Sequence, residues 1–285
     1  MNKYLERVEA CPFCSSKKFK LAESYSFSEI KDWATLKTLE GMDLTAAQFL
    51  FMRCIACKLE FMTPRWNEEG MKTFYKLWYE NQREDSYIYR TENKRHKELL
   101  NYFHSLSGNI NRILDVGCGV GAFLDTCNET RKDWHLFGIE MEQSAALVAT
   151  SKGYTIFNQD IMEFTGKEEK FDLITFNSVI EHLREPFKVV EKARTLLNHG
   201  GILYFNVPFA GSITSAFQHL IGKKATDYIL EHVFYFRPNH FPGSTVLMGN
   251  IWKAEKPIYR LAKIQRGLEM VFPNLKSNIS VIYRS

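Results

Sequence analysis

The chain has 285 residues, of which 45% are hydrophobic, so it is long enough to form one large α/β domain or a domain with an appendage. Its formal net charge of +4 is too small to indicate nucleic-acid binding by itself, because local patches rather than totals attract polyanions. No apolar run approaches the roughly 18 residues that a membrane-spanning helix needs, and residues 1–9 lack the apolar core of a signal peptide. We therefore predict a cytoplasmic protein with no membrane span.

Four of the six cysteines form two C-x-x-C pairs near the start of the chain. The pairs are Cys11 with Cys14, and Cys54 with Cys57. In a reducing compartment such pairs favour a structural zinc, because four thiolates complete a tetrahedral shell. The interval of 39 residues from Ser15 to Arg53 is longer than is usual between the two knuckles of a zinc ribbon. The pattern over Lys31 to Glu40 predicts a helix inserted there. Free buried thiols or a redox pair are the alternative.

After the second cysteine pair the pattern changes from strand to helix. Leu59 to Met62 is a predicted short strand, Pro64 a boundary, and two helices are predicted, from Asn67 and over Ile88 to Leu106. We predict three parts: a zinc-ribbon module (1–66), a helical connector covering the ligand site (67–109), and an α/β domain (110–285) with a substrate insert at about 209–243.

The most informative stretch begins with the apolar run Ile113 to Val116 and continues through Gly117, Gly119 and Gly121 into a helical pattern. A strand followed by a glycine turn and a helix is where open α/β sheets bind ligands, because bare backbone lets a ligand approach the helix N-terminus. A turn whose glycines serve conformation only is the alternative. The spacing G-x-G-x-G differs from the G-x-G-x-x-G of dinucleotide sites, which disfavours a nicotinamide oxidoreductase.

Helices and strands alternate beyond this turn, which predicts a doubly wound α/β fold with a seven-stranded, mostly parallel sheet. The predicted elements are a strand over His135 to Glu140, a helix over Gln143 to Ser151, strands over Tyr154 to Asn158 and Phe171 to Asn177, a helix from Pro186 whose apolar face reaches Leu197 and which stops at Gly200 and Gly201, a strand over Ile202 to Val207, a helix around Ser244 to Gly249, a strand near Ile251 to Ile258, a helix over Tyr259 to Val271 and a strand over Ile279 to Tyr283.

Glu140 lies 19 residues after Gly121, at the end of the second predicted strand. An acid at this position can accept hydrogen bonds from both hydroxyls of a ribose. Glu140 is therefore the strongest single candidate for contact with a nucleoside-like cofactor, and a glutamate in a surface loop is the alternative.

The segment D-V-G-C-G-V-G from Asp115 to Gly121, together with E-H-L at 181–183, resembles the class I S-adenosylmethionine-dependent methyltransferases. That resemblance implies a Rossmann-like fold in which Asp115 and the glycine backbone hold the amino-acid end of the cofactor. It also implies that Asp160 accepts from the adenine amine and that Ile161 covers the ring. The expected cofactor-binding residues are Asp115, Gly117, Cys118, Gly119, Gly121, Glu140, Met141, Asp160, Ile161 and Asn177.

The cysteine pairs followed by F-M-T-P-R at 61–65 and an aromatic-rich helix resemble bacterial methyltransferases of sugar and natural-product pathways that carry an amino-terminal zinc ribbon. In such relatives a tyrosine-rich stretch, here Tyr87 and Tyr89, covers the cofactor, and packing is the alternative role. Related enzymes also carry E-H followed by aromatics, here Glu231 and His232, and in some that histidine is the proposed base. Sugar C-methyltransferases of this kind have a further carboxyl-terminal domain, and this sequence contains no such domain. We therefore expect transfer to oxygen or nitrogen instead of carbon.

A base is needed only if the methyl acceptor is a weak nucleophile such as a sugar hydroxyl. His232 and His182 are the candidates because histidine titrates near neutral pH, and a structural role is the alternative for each. His232 lies in the insert after the fifth predicted strand, so we expect it to be the base and His182 to shape the pocket.

The sequence therefore predicts an S-adenosylmethionine-dependent methyltransferase, with a structural zinc, that acts on a hydroxyl or amine of a sugar or natural-product intermediate. An RNA or protein methyltransferase that docks its polymer through the zinc ribbon is the alternative, although nucleic acid is not the favoured partner. Between Lys253 and Arg284 there are seven basic residues and two acids, which indicate either a solvated face or attraction of an anionic acceptor.

Overall fold

The structure is a computed structural model that describes residues 2–30, 33–81, 87–166, 169–224, 228–248 and 278–285. The predicted strand near Ile251 to Ile258, the predicted helix over Tyr259 to Val271 and most of the basic residues after Lys253 lie outside the described residues.

The strands in chain order are β1 (Leu5–Glu6), β2 (Phe19–Ser26), β3 (Gln48–Cys54), β4 (Glu60–Thr63), β5 (Arg65–Trp66), β6 (Arg112–Val116), β7 (His135–Ile139), β8 (Thr155–Phe157), β9 (Phe171–Phe176), β10 (Leu197–Pro208), β11 (Phe234–Tyr235), β12 (Thr245–Met248) and β13 (Asn278–Arg284). The α-helices are α1 (Trp33–Gly41), α2 (Glu68–Asn81), α3 (Tyr87–Leu106), α4 (Ala122–Thr130), α5 (Gln143–Ser151), α6 (Pro186–Thr195) and α7 (Ile213–Leu220).

The chain divides into two compact units. The first consists of Met1–Glu84, Glu181–Pro186 and Pro208–His240, and the second of Asp85–Ile180, Phe187–Val207 and Phe241–Ser285. The first unit thus takes in the predicted zinc-ribbon module and most of the predicted insert. The boundaries predicted at 66/67 and 109/110 stay a prediction.

The second unit contains a seven-stranded sheet in the order β12-β13-β10-β9-β6-β7-β8. Strand β6 pairs in parallel with both β7 and β9, β7 pairs in parallel with β8, and β9 with β10. The chain runs outward from β6 to β8 on one side and then from β9 on the other, so the direction of winding reverses between β6 and β9. This is the edge at which doubly wound sheets bind ligands. The predicted fold class is confirmed.

The core of this unit lies where helices α3 and α4 cover the central strands. Leu99, Leu100 and Phe103 of α3 are fully buried and pack in one cluster with Ile113 of β6 and Phe123 of α4. The three apolar positions of α3 recur at helical spacing, so one face of this helix is removed from water and holds the helix to the sheet.

The first unit is built around an antiparallel sheet in the order β11-β4-β3-β2, and β1 pairs separately with β5. Its core is aromatic: the Phe51 ring centroid lies 5.7 Å from that of Tyr235, and Trp66 lies 5.8 Å from Phe49 and 5.0 Å from Phe74. The long interval between the cysteine pairs holds β2, α1 and most of β3. The predicted helix of the interval is α1, whereas the two strands that flank it were not predicted.

One predicted boundary and one predicted element type are wrong. The helix from Pro186 ends at Thr195, and Leu197 already belongs to β10, because β10 pairs with β9 at Leu197 and again from Ile202, with a register shift between them. Gly200 has φ +77° in that irregular segment, so the glycines bend a strand instead of stopping a helix. The helix predicted around Ser244 to Gly249 is instead strand β12, which pairs antiparallel with β13.

No helix among the described residues is both long and apolar enough to cross a bilayer.

The close packing of Gly138 in β7 leads to a stability prediction. A Cβ at this position would lie 2.6 Å from the Cys118 sulfur and 2.7 Å from Ile156 Cδ1. We expect Gly138→Ala to lower the free energy of unfolding by about 1–3 kcal/mol, because it overpacks a buried contact. Gly108→Ala is the matched control, since a Cβ there meets nothing within 4 Å and should leave stability unchanged or raise it by about 1 kcal/mol. Equal urea midpoints for the two variants would contradict the expectation.

Candidate functional site

The glycine turn of the second unit connects β6 to α4. Gly117, Gly119 and Gly121 have φ of +70°, +52° and +86°, the left-handed region in which other residues are strained. A Cβ at Gly117 would also lie 2.6 Å from Val179 Cγ2. The turn is therefore specified both by backbone conformation and by space, and its bare backbone lies at the N-terminus of α4.

Asp115 is the residue of β6 that carries a buried carboxylate beside this turn. Its side chain is 2% exposed, and Oδ1 accepts hydrogen bonds from Thr175 Oγ1 at 2.7 Å and from Asn177 Nδ2 at 3.0 Å. Thr175 belongs to β9 and Asn177 follows that strand, so the two donors fix the carboxylate across the point where the winding reverses.

Glu140 follows β7 and joins the turn to the next helix. Its Oε2 accepts from the Gly119 N–H and its Oε1 from the Glu142 N–H, both at 2.8 Å. The side chain is 8% exposed, and burial raises the pKa of Glu140 in spite of these two hydrogen bonds. Each carboxylate oxygen has a further lone pair, so the group retains the capacity to accept from two hydroxyls.

The other predicted cofactor residues lie in the segments that follow β6, β7 and β8. Met141 is 50% exposed, and Asn158 Nδ2 donates to the carbonyls of both Glu140 and Met141. Asp160 follows β8 and accepts from the Met162 N–H, and Ile161 is 4% exposed. Cys118 fills the turn: it is 6% exposed, and its sulfur packs on Gly138, where a Cβ would lie 2.6 Å from it.

The structure thus ties Asp115 to Thr175 and Asn177 across β6 and β9, and ties the turn after β6 to Glu140 at the end of β7. Asp160 and Ile161 lie at the corresponding end of the neighbouring strand β8. A buried carboxylate with spare acceptor capacity beside glycine backbone suits a ligand that offers ribose hydroxyls and an amino-acid group. The side chains of Tyr87 and Tyr89, predicted to cover the ligand, lie outside the part of the molecule whose side chains are described.

The four paired cysteines of the first unit form one cluster. Their sulfurs all lie within 4.8 Å of one another, with Cys11 Sγ 3.5 Å from Cys57 Sγ and Cys14 Sγ 3.6 Å from Cys54 Sγ. In a tetrahedral zinc site with Zn–S bonds of about 2.3 Å, the sulfurs lie about 3.8 Å apart. The cysteine cluster therefore fits a structural zinc with all four positions filled by protein.

A second polar cluster of the first unit contains both predicted catalytic histidines together with Glu181, which the sequence-based list of site residues omits. Glu181 Oε1 lies 3.7 Å from His232 Nε2 and 3.9 Å from His182 Nε2, and the two rings are 4.9 Å apart. His182 Nδ1 lies 2.8 Å from the Glu231 carbonyl oxygen, which can only accept, so Nδ1 carries a proton and Nε2 of the neutral ring a lone pair.

Burial sets the electrostatics of this cluster. The Glu181 side chain is 3% exposed and those of His182 and His232 are 15% and 17% exposed. Loss of hydration raises the pKa of Glu181 to about 8 and lowers that of His182 to about 4. The pKa of His232 is also lowered, first by burial and then by His182. Burial therefore favours the uncharged form of all three groups.

Two atoms of this cluster are buried without a hydrogen-bond partner in the described part of the chain, Glu181 Oε2 and His232 Nδ1. Buried polar atoms in this state mark a position where a ligand, an ion or water completes the site. The arrangement can exchange a proton with a bound molecule, and its donor set of one carboxylate and two imidazoles is also one that binds divalent metals. The signal for Glu181 in the sequence is its place immediately before His182.

The family described as Methyltransferase domain matches residues 79–242, which is more than half of the chain. The chain therefore belongs to the methyltransferase domain family.

Individual relatives match over shorter stretches. The chain is 33% identical over 106 residues to the ubiquinone biosynthesis O-methyltransferase of Histophilus somni (strain 2336), a match that covers 33% of this chain and 44% of that protein. It is 29% identical over 144 residues to the protein of the same name from Paraburkholderia phymatum, covering 46% of this chain and 61% of that one. The chain thus spans about half the length of these relatives.

Among solved structures, the plantazolicin methyltransferase BpumL in complex with SAH matches with a TM-score of 0.50. The match covers 77% of this chain and 91% of that one at 15% identity. At this identity the likeness shows a shared fold and nothing finer.

Proposed function

We propose that this protein transfers the methyl group of S-adenosylmethionine to a small molecule, and that the acceptor atom is a hydroxyl oxygen or an amine nitrogen. The observation that carries the proposal is the buried Glu140 carboxylate, which is held by the Gly119 N–H beside Asp115 at the reversal point of the sheet. Membership of the methyltransferase domain family supports it. The names of the two curated relatives, both O-methyltransferases, support oxygen as the acceptor atom.

The residues of the second unit would bind and orient the cofactor. Glu140 would accept from the ribose hydroxyls, Asp115 and the N–H groups of the glycine turn would bind the amino-acid end, and Asp160 and Ile161 would contact the adenine. When bound, S-adenosylmethionine supplies a methyl group already activated by a sulfonium. The protein therefore has to align the acceptor and exclude water, and it needs a base only for a hydroxyl.

His232 would be that base. Because burial lowers its pKa, the ring is uncharged at neutral pH and able to take the acceptor's proton. His182 would act as a positioning residue, since its Nδ1–H is held by the Glu231 carbonyl. Glu231 is itself tied to α1, because its carboxylate accepts from Thr35 Oγ1. Glu181 Oε1 lies 3.7 Å from His232 Nε2 and 3.9 Å from His182 Nε2, and its carboxylate, when ionised, would stabilise the protonated imidazole.

The remaining parts of the proposal concern the amino-terminal unit and the acceptor. The four cysteines would hold a structural zinc that stabilises the sheet of the first unit. A sugar or natural-product acceptor and a cytoplasmic location stay predictions from the sequence.

The first prediction tests the cofactor site. Glu140→Ala should weaken binding of S-adenosylmethionine and of its demethylated product by about 1–3 kcal/mol, because ribose hydroxyls lose their acceptor. Glu129→Ala, which removes an exposed carboxylate from α4, should leave the affinity unchanged. Titration calorimetry on both variants measures the difference. Equal affinities would remove Glu140 from the site, and an absence of binding by the wild type would overturn the methyltransferase proposal.

The second prediction tests the cysteine cluster. Elemental analysis should find about one zinc per chain, because four protein thiolates complete a single tetrahedral site. Cys54→Ser should lose this zinc and unfold at lower temperature while changing cofactor affinity little. Cys127→Ala, a buried cysteine of the second unit, should keep the zinc. Metal-free protein of unchanged stability would refute the zinc site at the cysteine cluster. A second equivalent of zinc, bound by Glu181, His182 and His232, would refute the assignment of His232 as a base.

The third prediction tests the base. With a hydroxyl acceptor, His232→Ala should lower turnover by about 10² to 10⁴ while S-adenosylmethionine affinity stays nearly constant, because the residue acts on the acceptor proton. His199→Ala, an exposed histidine, is the control. A base is active when unprotonated, and burial lowers the pKa of His232, so protonation of His232 itself should not limit wild-type activity at pH 6.5. If turnover is unchanged in His232→Ala, another group is the base or the acceptor needs none.

A further inference from the structure

The first unit contains a cavity whose lining is strongly basic. Its volume is about 360 Å³, and its lining residues are Lys20, Arg53, Cys54, Ile55, Lys58 and Arg237. Four of these six residues are cationic and none is acidic. The volume lies in the range of small-molecule sites, and a concave surface lined by one sign of charge concentrates ions of the opposite sign.

The negative charge that the structure places near these cations is already engaged. Glu60 is 1% exposed, and its carboxylate accepts from Arg53 Nε on one oxygen and from the Tyr228 hydroxyl on the other. A zinc tetrathiolate at the cysteine cluster would add negative charge at Cys54, which belongs both to the cluster and to the cavity lining. Glu60 and such a centre together still leave the four cations with net positive charge.

Contacts on two sides hold Arg237 in place at this cavity. Its backbone N–H donates to Nδ1 of the buried His240, whose Nε2 therefore carries the proton and donates to the Cys57 carbonyl at 3.0 Å. Its guanidinium packs on Gly211, where a Cβ would lie 2.9 Å from one of the terminal nitrogens. This arrangement ties Arg237 to the second cysteine knuckle.

The guanidinium of Arg237 is also incompletely paired. Its Nε is buried and has no hydrogen-bond partner among the described residues. Burial lowers the pKa of Arg237 although Glu60 acts in the opposite sense, and Arg53 lowers it further. Burying an unpaired N–H donor next to a second cation costs free energy unless a bound anion accepts its hydrogen bond.

We propose that this basic cavity binds a phosphoryl group, and that this group belongs to the methyl acceptor. The substrate class is then a phosphorylated small molecule, a statement that rests on the proposed function. Phosphate oxygens suit the site because arginine guanidinium groups bind them in paired hydrogen bonds and lysines add point charges.

The proposed base and the cavity belong to one segment of the same unit. His232 and Arg237 are five residues apart, so their Cα atoms are separated by no more than about 18 Å. A methyl acceptor that spans this separation would place a phosphoryl group at Arg237 and a hydroxyl toward His232.

The experiment is a calorimetric titration of the 285-residue chain, loaded with zinc, with inorganic pyrophosphate in a chloride buffer of low ionic strength. Wild type should bind, and Arg237→Gln should bind about 10-fold more weakly or worse, because a charged hydrogen-bond donor is lost. Lys58→Gln should also weaken binding, and since Lys58 is exposed this variant keeps the test valid if Arg237→Gln fails to fold. Lys17→Gln is the control, an exposed lysine of the same unit outside the cavity.

Equal affinity of wild type, Arg237→Gln and Lys58→Gln for pyrophosphate would overturn the proposal, as would an absence of binding by wild type. Acetate bound as tightly as pyrophosphate would overturn the preference for phosphoryl groups. A parallel titration with S-adenosylmethionine separates the two proposals: cofactor binding without pyrophosphate binding defeats the phosphoryl site alone, and the reverse defeats the methyltransferase proposal.

A second arm tests whether the phosphoryl group belongs to the acceptor. A cell extract, with or without prior phosphatase treatment, is incubated with wild type and methyl-labelled S-adenosylmethionine. In the untreated extract, label should enter a small molecule, and prior phosphatase treatment should abolish this labelling. Arg237→Gln should label the same molecule less than wild type does. Equal labelling in treated and untreated extracts would overturn the assignment of the phosphoryl group to the acceptor.

Discussion

The hydrogen bond from the Gly119 N–H to the buried Glu140 carboxylate is the interaction on which the second unit's site depends. It joins the turn after β6 to the end of β7, and the other oxygen of the same carboxylate holds the Glu142 N–H. Glu142 in turn caps α5 by accepting from the Ala145 N–H. Removing this carboxylate would release donors on two sides of the site, so ligand affinity and local order are coupled through one residue.

Much of this unit could be predicted because its signals are local. A strand pattern ending in Gly117, Gly119 and Gly121 needs only the neighbouring residues to be recognised, and the positive φ angles explain why glycine stands there. The start of β10 could not be predicted in the same way, since Leu197 continues the apolar face of α6 in sequence. It is the pairing with Phe171, a contact distant in the chain, that makes it a strand.

In the first unit, more of the structure depends on pairing between residues distant in the chain, so less of it could be predicted from the sequence. The cysteine pairs are recognisable from their spacing. Strand β2 pairs with β3 and β3 also pairs with β4, and no short-range pattern in the interval predicts these two strands. Glu181 illustrates the point for the site. Its place in E-H-L was visible, whereas its burial beside His232 depends on the chain returning 52 residues later, where the Val233 N–H donates to the Glu181 carbonyl.

Burial also changes how the histidine cluster would work as a base. With Glu181 protonated, proton uptake by His232 would place an uncompensated positive charge in a buried site, which is costly. If the Glu181 carboxylate is ionised instead, the same uptake converts a buried negative charge into an ion pair across 3.7 Å. The second route ends in a neutral cluster, so the carboxylate raises the basicity of the imidazole at the moment of transfer. The two groups therefore titrate as a pair, and the proton affinity that matters belongs to Glu181 and His232 together.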